Sequence, residues 1–216
     1  MNQQNNYCTF YLVRHGESEG NAKGVIQGTS DFPLTEKGKN QVRSLNEKLI
    51  NIKFDAIFSS DLLRAKETAE ILNLERQLAV QISKLIRERN YGAYEGRKGD
   101  DFNNDVKTAT KQLEEMTDKM GKSIWDFGDL STVEKREELV ARMITFIREI
   151  AITHANKTVL VVAHGGLFRN FLIHIGFANK KELVRGSVSN ASYIKLKSDG
   201  VNFFVEETYG IKKETQ

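Results

Sequence analysis

Residues 10 to 13 (Phe-Tyr-Leu-Val) are an unbroken apolar run that stops at Arg14-His15-Gly16. A second run, residues 158 to 163 (Thr-Val-Leu-Val-Val-Ala), stops at His164-Gly165-Gly166. Short apolar runs closed by such turns read as buried strands. Elsewhere the apolar residues fall three and four apart, which predicts helices. One spans 36–51, capped by Thr35 and buried through Val42, Leu45, Leu49 and Ile52. Another, capped by Ser60 or Asp61, buries Leu62, Ala65, Ala69 and Leu72, and a third spans 133–153 with Val140, Met143, Ile144, Ile147 and Ile150 on one face. A shorter helix is expected over 167–175.

Further strands are expected at 55–58 and within 78–86, the latter with Val80 and Ile82 alternating inward. The chain finishes as a hairpin, 191–197 and 201–207, turning at Ser198-Asp199-Gly200. Strands alternating with helices predict an α/β fold, a three-layer α/β/α sandwich with a largely parallel central sheet. Residues 17–33 read as a glycine-bearing loop. Residues 100–122 are charged and helical in pattern, and 123–131 look irregular, so about 97–132 reads as a helical insertion over the sheet edge. With no repeat or linker, one domain over 1–216 is expected.

Composition narrows the class. Hydrophobic residues make up 39% and charged residues 28%, as in a soluble globular protein. The net charge of +3 calls for neither nucleic acid nor an anionic membrane surface. A single cysteine, Cys8, excludes an intramolecular disulfide and has no CxxC partner for redox or zinc chemistry. It reads as a small apolar residue opening the first strand. The N-terminus MNQQNNY lacks the basic and apolar regions of a signal peptide, and no apolar run approaches the roughly 20 residues that span a bilayer. A cytoplasmic protein is expected. No stretch specifies an oligomeric state.

The candidate chemistry lies at the strand tips. If the two histidine-tipped strands are central and parallel, His15 and His164 stand side by side at one edge of the sheet. The glycines allow close approach, and the helix after Gly166 points free amides and its positive dipole end there. Arg64, off the apolar stripe of its helix, and Glu88, beyond the 78–86 segment, arrive at neighbouring tips. Such a set suits phosphoryl transfer. Arginine forks grip phosphate oxygens, a neutral imidazole is a nucleophile near pH 7, and a protonated carboxyl serves the leaving oxygen.

These residues resemble the histidine phosphatase superfamily, related to cofactor-dependent phosphoglycerate mutase. The resemblance rests on L-V-R-H-G-E-S at 12–18, Gln27-Gly28, D-F-P-L-T at 31–35, S-S-D-L-L-R-A at 59–65, E-R-N-Y-G at 88–92 and A-H-G-G at 163–166. It implies a phosphoglycerate mutase-like fold and a role for each position. His15 would become a phosphohistidine; Arg14, Arg64 and His164 would form the phosphate pocket; Glu88 would be the acid and base. Asn21, Gln27, Gly28, Arg89 and Tyr91 would line the entrance, and the Gly165 amide would face the phosphate. No metal or other cofactor would be needed, since arginines supply the positive charge. The expected partner is a small phosphorylated metabolite.

Plainer readings stand beside these. Two histidines and Glu88 also suit a metal, although Arg14 would repel it. Arg64 and Glu88, taken singly, read as solvated charges. So do Lys66, Glu67 and the stretch 107–122, while His154 and His174 read as structural or exposed. Trp125 packs the insertion or forms a lid. Arg87, Arg89, Arg97 and Lys98 are either an exposed turn or a grip for a second anionic group. Mutases of the family carry asparagine where Gly166 stands and an arginine-bearing insertion, whereas residues 100–132 hold no arginine. Gln27-Gly28 also favours a phosphatase. E-R-N-Y-G leans towards a mutase, the second reading, and a phosphate-binding pseudoenzyme that keeps His15 is the third.

Overall fold

A computed structural model describes residues 6–116 and 121–214. The first strand, β1 (Cys8–Arg14), runs through the middle of a six-stranded sheet of order β3-β2-β4-β1-β5-β6. Its parallel partner is β4 (Thr158–Ala163), beside which lie β2 (Ala56–Ser59) and the edge strand β3 (Val80–Ile82), also parallel. On the other side β5 (Val188–Ser198) pairs antiparallel with β1, and β6 (Phe203–Ile211) antiparallel with β5. The sheet is therefore largely parallel, with β5 the strand that runs against the rest.

Alternate residues of the central strands feed two apolar layers. Phe10, Leu12, Phe58, Val159 and Val161 pack under α5 (Arg136–Thr153) and α6 (Gly165–His174). Tyr11, Val13, Ile57, Leu160 and Val162 pack under α2 (Glu36–Leu49) and α3 (Leu63–Asn73). Burial on both faces explains why β1 and β4 read as continuous apolar runs. Each fully buried Leu or Phe contributes about 1.5–3 kcal/mol, so this core holds the strand tips in place. The free thiol of Cys8 is buried there and pushed up to about 12 by desolvation, as inert as an apolar side chain.

Several expectations are corrected. The hairpin strands run longer than 191–197 and 201–207. Ile82 does not turn inward; it is 51% exposed, because β3 is an edge strand beyond the cover of the helices. Neither Ser60 nor Asp61 is the N-cap of α3. That position is Leu62, and the Leu63 amide donates instead to the Asp31 carboxylate at 2.7 Å. Asp61 is taken up by a two-pronged pair with Arg87. The loop at 17–33 contains a short helix, α1 (Glu19–Lys23), opened by a reciprocal Ser18–Asn21 capping box and closed by Gly24 in the left-handed conformation. Glu67 is no solvated face residue, since it accepts the Leu34 amide at 2.7 Å.

Of the charged stretch, α4 (Gly99–Glu115) is helical, while residues 117–120 lie outside the described residues, as do 1–5 of the N-terminus. Two 3-10 turns, Ile124–Asp126 and Gly128–Thr132, follow it. These elements do not cover a sheet edge. Ala109, Leu130 and Val133 form a small separate core with Ile26 and Tyr94, and Tyr91, Phe102 and Trp125 pack against it. This third core sits on the loops beyond the carboxyl ends of the strands. Trp125 is half-buried in it. Among the described residues no helix is long and apolar enough to cross a membrane.

Candidate active site

Register sets the two histidines level. Arg14 pairs with Ala163 across β1 and β4, and the His15 amide donates to the Ala163 carbonyl at 3.1 Å. One residue on, the His15 and His164 rings stand 5.3 Å apart, centroid to centroid, both buried. His164 is also the N-cap residue of α6, which begins at Gly165, two residues before the expected start. The first-turn amides of α6 therefore face the same spot, that of Gly166 donating to Glu88.

The His15 ring is held in one tautomer. Its Nδ1 lies 2.7 Å from the Gly16 carbonyl, which only accepts, so Nδ1 carries the proton and Nε2 keeps its lone pair. Burial, then the charges of Arg64 and Arg14, hold its pKa well below the usual 6.5, against the opposing pull of the Gly16 bond. His164 is depressed as well, by burial first and then by Arg64 and His15. Neither His164 ring nitrogen has a hydrogen-bond partner among the described residues. The pair is thus two neutral imidazoles side by side, that of His15 with the lone pair of Nε2 free.

Two arginines supply the positive charge. Arg64, in the first turn of α3, is buried, and its two terminal nitrogens donate to the Ser30 and Gly28 carbonyls at 2.8 and 2.7 Å. Desolvation lowers it to about 10, which leaves it charged near neutral pH. Arg14 is anchored by one terminal nitrogen on the Val188 carbonyl. The Nε of each arginine is buried with no partner among the described residues. A Cβ on Gly165 would come within 2.8 Å of Arg14 Nε, so only glycine lets this guanidinium lie against the start of α6.

Glu88 reaches the site from the turn after β3. Its carboxylate accepts the Gly166 amide at 2.8 Å and the Arg89 amide at 2.9 Å. A Cβ at position 166 would stand 2.6 Å from Oε1, so the second glycine makes room for Glu88. Asn21, Gln27, Gly28, Arg89, Tyr91 and Gly165 line the same cavity of about 350 Å³ as Arg14, His15, Arg64 and Glu88. The fold thus brings the sequence candidates together. His164 is adjacent through its ring contact, whereas His154 packs edge-on to Phe58 and His174 is exposed. Among the described residues no three histidine, cysteine, aspartate or glutamate side chains are grouped to hold a metal ion.

Two supporting residues escaped the sequence reading. Asn190, at an irregularity in β5 between Val188 and Tyr193, donates at 3.1 Å to the His15 and Gly16 carbonyls and to Asn21. Glu95 accepts the Thr29, Ser30 and Tyr91 amides at 2.8, 2.9 and 3.1 Å, and both loop hydroxyls. Gly28, at φ +52°, passes so close that a Cβ would overlap Glu95. Glu95 fixes the loop whose carbonyls fix Arg64. Only its place three residues after the Y-G pair hinted at this. Glu95→Ala is expected to lower kcat/KM for p-nitrophenyl phosphate roughly 10- to 100-fold, because misplacing a transition-state group by about 1 Å costs that much. Steady-state kinetics on a variant with an unchanged melting profile measures it.

A family model of the histidine phosphatase superfamily (branch 1) matches residues 10–209, and the chain belongs to that superfamily. It is 32% identical over 190 residues to the Uncharacterized phosphatase PhoE of Bacillus subtilis (strain 168), covering 86% of this chain and 89% of that protein. It is 30% identical over 207 residues to the Broad-specificity phosphatase YOR283W of Saccharomyces cerevisiae, covering 90% and 83%. The crystal structure of phosphoglycerate mutase from Bacillus anthracis str. Sterne superposes with a TM-score of 0.81 at 28% identity, covering 95% of this chain and 94% of that one. The fold is phosphoglycerate mutase-like, and the protein is an enzyme of this family.

Proposed function

We propose that this enzyme hydrolyses phosphomonoesters of small metabolites through a phosphohistidine on His15. The observation that carries this reading is the His15 ring, pinned through Nδ1 to Gly16 with Nε2 bare beside the buried Arg64 and the half-buried Arg14. In the first step His15 Nε2 attacks phosphorus and the ester P–O bond breaks. Arg14 and Arg64 neutralise the equatorial oxygens, and protonated Glu88 gives its proton to the leaving alcohol. In the second step water attacks phosphorus, Glu88 takes up its proton and the P–N bond breaks. Phosphate leaves and His15 returns neutral.

The arginines and the α6 terminus supply the charge that a metal ion supplies elsewhere, so no metal is required. A second reading, phosphoryl transfer between hydroxyls of phosphoglycerate, is favoured by the likeness to the Bacillus anthracis mutase. Against it stand Gly166 and the lack of arginine over residues 100–132. The test is hydrolysis of p-nitrophenyl phosphate with and without a chelator, alongside interconversion of 2- and 3-phosphoglycerate. Undiminished hydrolysis under chelation is expected. Loss of hydrolysis to the chelator sinks the metal-independent reading, and robust bisphosphate-dependent interconversion turns the enzyme into a mutase.

A further inference from the structure

The cavity holds more positive charge than a phosphoryl group engages. Beside Arg14 and Arg64 it is lined by Arg89, Arg169 and Arg185, with Tyr91 among them. Arg169 projects from the first half of α6, Arg185 from the loop before β5, and Arg89 from the turn that carries Glu88. Among the described residues none of these three forms an ion pair. Three basic residues of the same stretch are engaged elsewhere: Arg87 with Asp61, Arg97 with Asp129 at 2.9 Å, and Lys98 with the Lys23 carbonyl at 2.6 Å. The stretch therefore divides into Arg87 and Arg97, paired with carboxylates, Lys98, spent on a backbone carbonyl, and Arg89, which lines the cavity.

We propose that Arg169 and Arg185, with Arg89, form a second anion subsite, and that the preferred substrate carries an acidic group in addition to its phosphate. This rests on the phosphatase reading above. Arg89 is held through Nε on the Glu134 carbonyl at 2.7 Å, and its guanidinium lies over the Tyr91 and Trp125 rings, 5.4 and 4.9 Å away. Its Nη2 is buried with no partner among the described residues. Arg169 is fixed through Nε on the Leu183 carbonyl, which leaves its two terminal nitrogens as the fork. Burial lowers the Arg169 pKa, and the charges of Arg136 and Arg185 add to this while Tyr91 opposes it. Like charges held close repel unless an anion sits among them. A carboxylate or second phosphate on the substrate relieves that repulsion, and an uncharged tail does not.

The test compares 3-phosphoglycerate with glycerol 3-phosphate, which differ in a carboxylate against a hydroxymethyl. Calorimetry on His15→Ala, which holds either ester without turnover, is expected to show at least about tenfold tighter binding of the acidic ester. Adding Arg185→Gln, an exposed residue with no hydrogen bond among the described residues, is expected to shrink that preference at least threefold. Adding Arg169→Gln as well should bring the two affinities within about twofold. Equal binding of both esters by His15→Ala, or a preference that survives the Arg185 change, overturns the subsite. Wild-type protein that hydrolyses neither ester nor p-nitrophenyl phosphate defeats the phosphatase reading, and the binding difference still decides the subsite.

Discussion

His15→Ala is expected to reduce hydrolysis of p-nitrophenyl phosphate by roughly 10⁴-fold or more, the scale of removing a covalent nucleophile. Nothing nearby can replace it. The His164 ring stands 5.3 Å away, at the start of α6, with no carbonyl among the described residues to fix its tautomer. Unchanged activity in the variant would remove the phosphohistidine from the mechanism. The free enzyme should also keep its nucleophile in acid. Because burial, Arg64 and Arg14 lower the His15 pKa well below 6.5, the ring gains its proton only well below that pH. The acid limb of kcat/KM, which reports the free enzyme, is therefore expected below pH 6.5. A limb at or above 6.5 would assign it to another group.

Glu88→Gln carries the second large effect. An amide keeps the size of the side chain but has no proton to transfer to the leaving oxygen. Alkyl phosphates, whose alkoxides leave poorly, are expected to lose about 10²–10⁴-fold in kcat. p-Nitrophenyl phosphate, whose aryl oxide leaves unaided, should lose far less. Parallel kinetics on glycerol 3-phosphate and p-nitrophenyl phosphate read the difference. Equal losses on the two esters would make Glu88 a positioning group. That role is open to it, because its carboxylate also ties the Gly166 and Arg89 amides together.

Much of this was legible along the chain. The runs 10–13 and 158–163 matched β1 and β4 because a strand buried on both faces must be apolar throughout. The helix periods of α2 and α5 were as clear, since each buries one stripe. Edges were harder. Ile82 reads as a core residue by alternation alone, yet nothing covers its side of β3. The caps of α3 were misplaced for a related reason: the group that meets its first amide is Asp31, 32 residues away in sequence. Capping across such a distance leaves no local pattern.

Apolar periodicity along the chain laid out the main strands and helices, though not α1, and the residue types alone supplied two histidines followed by glycine and the arginines and glutamate that suit an anion. These follow from local periodicity and from the chemistry of single side chains. Only the tertiary structure decided which charges remain available. Arg87, Arg89, Arg97 and Lys98 look equivalent in the chain, but folding pairs Arg87 and Arg97 with carboxylates, ties Lys98 to a backbone carbonyl and sets Arg89 in the cavity wall with Arg169 and Arg185. It likewise made Glu95 the holder of the Arg64 loop and gave His15 one tautomer. Neutralisation and orientation depend on contacts between distant segments, and those exist only once the sheet has set β1 beside β4.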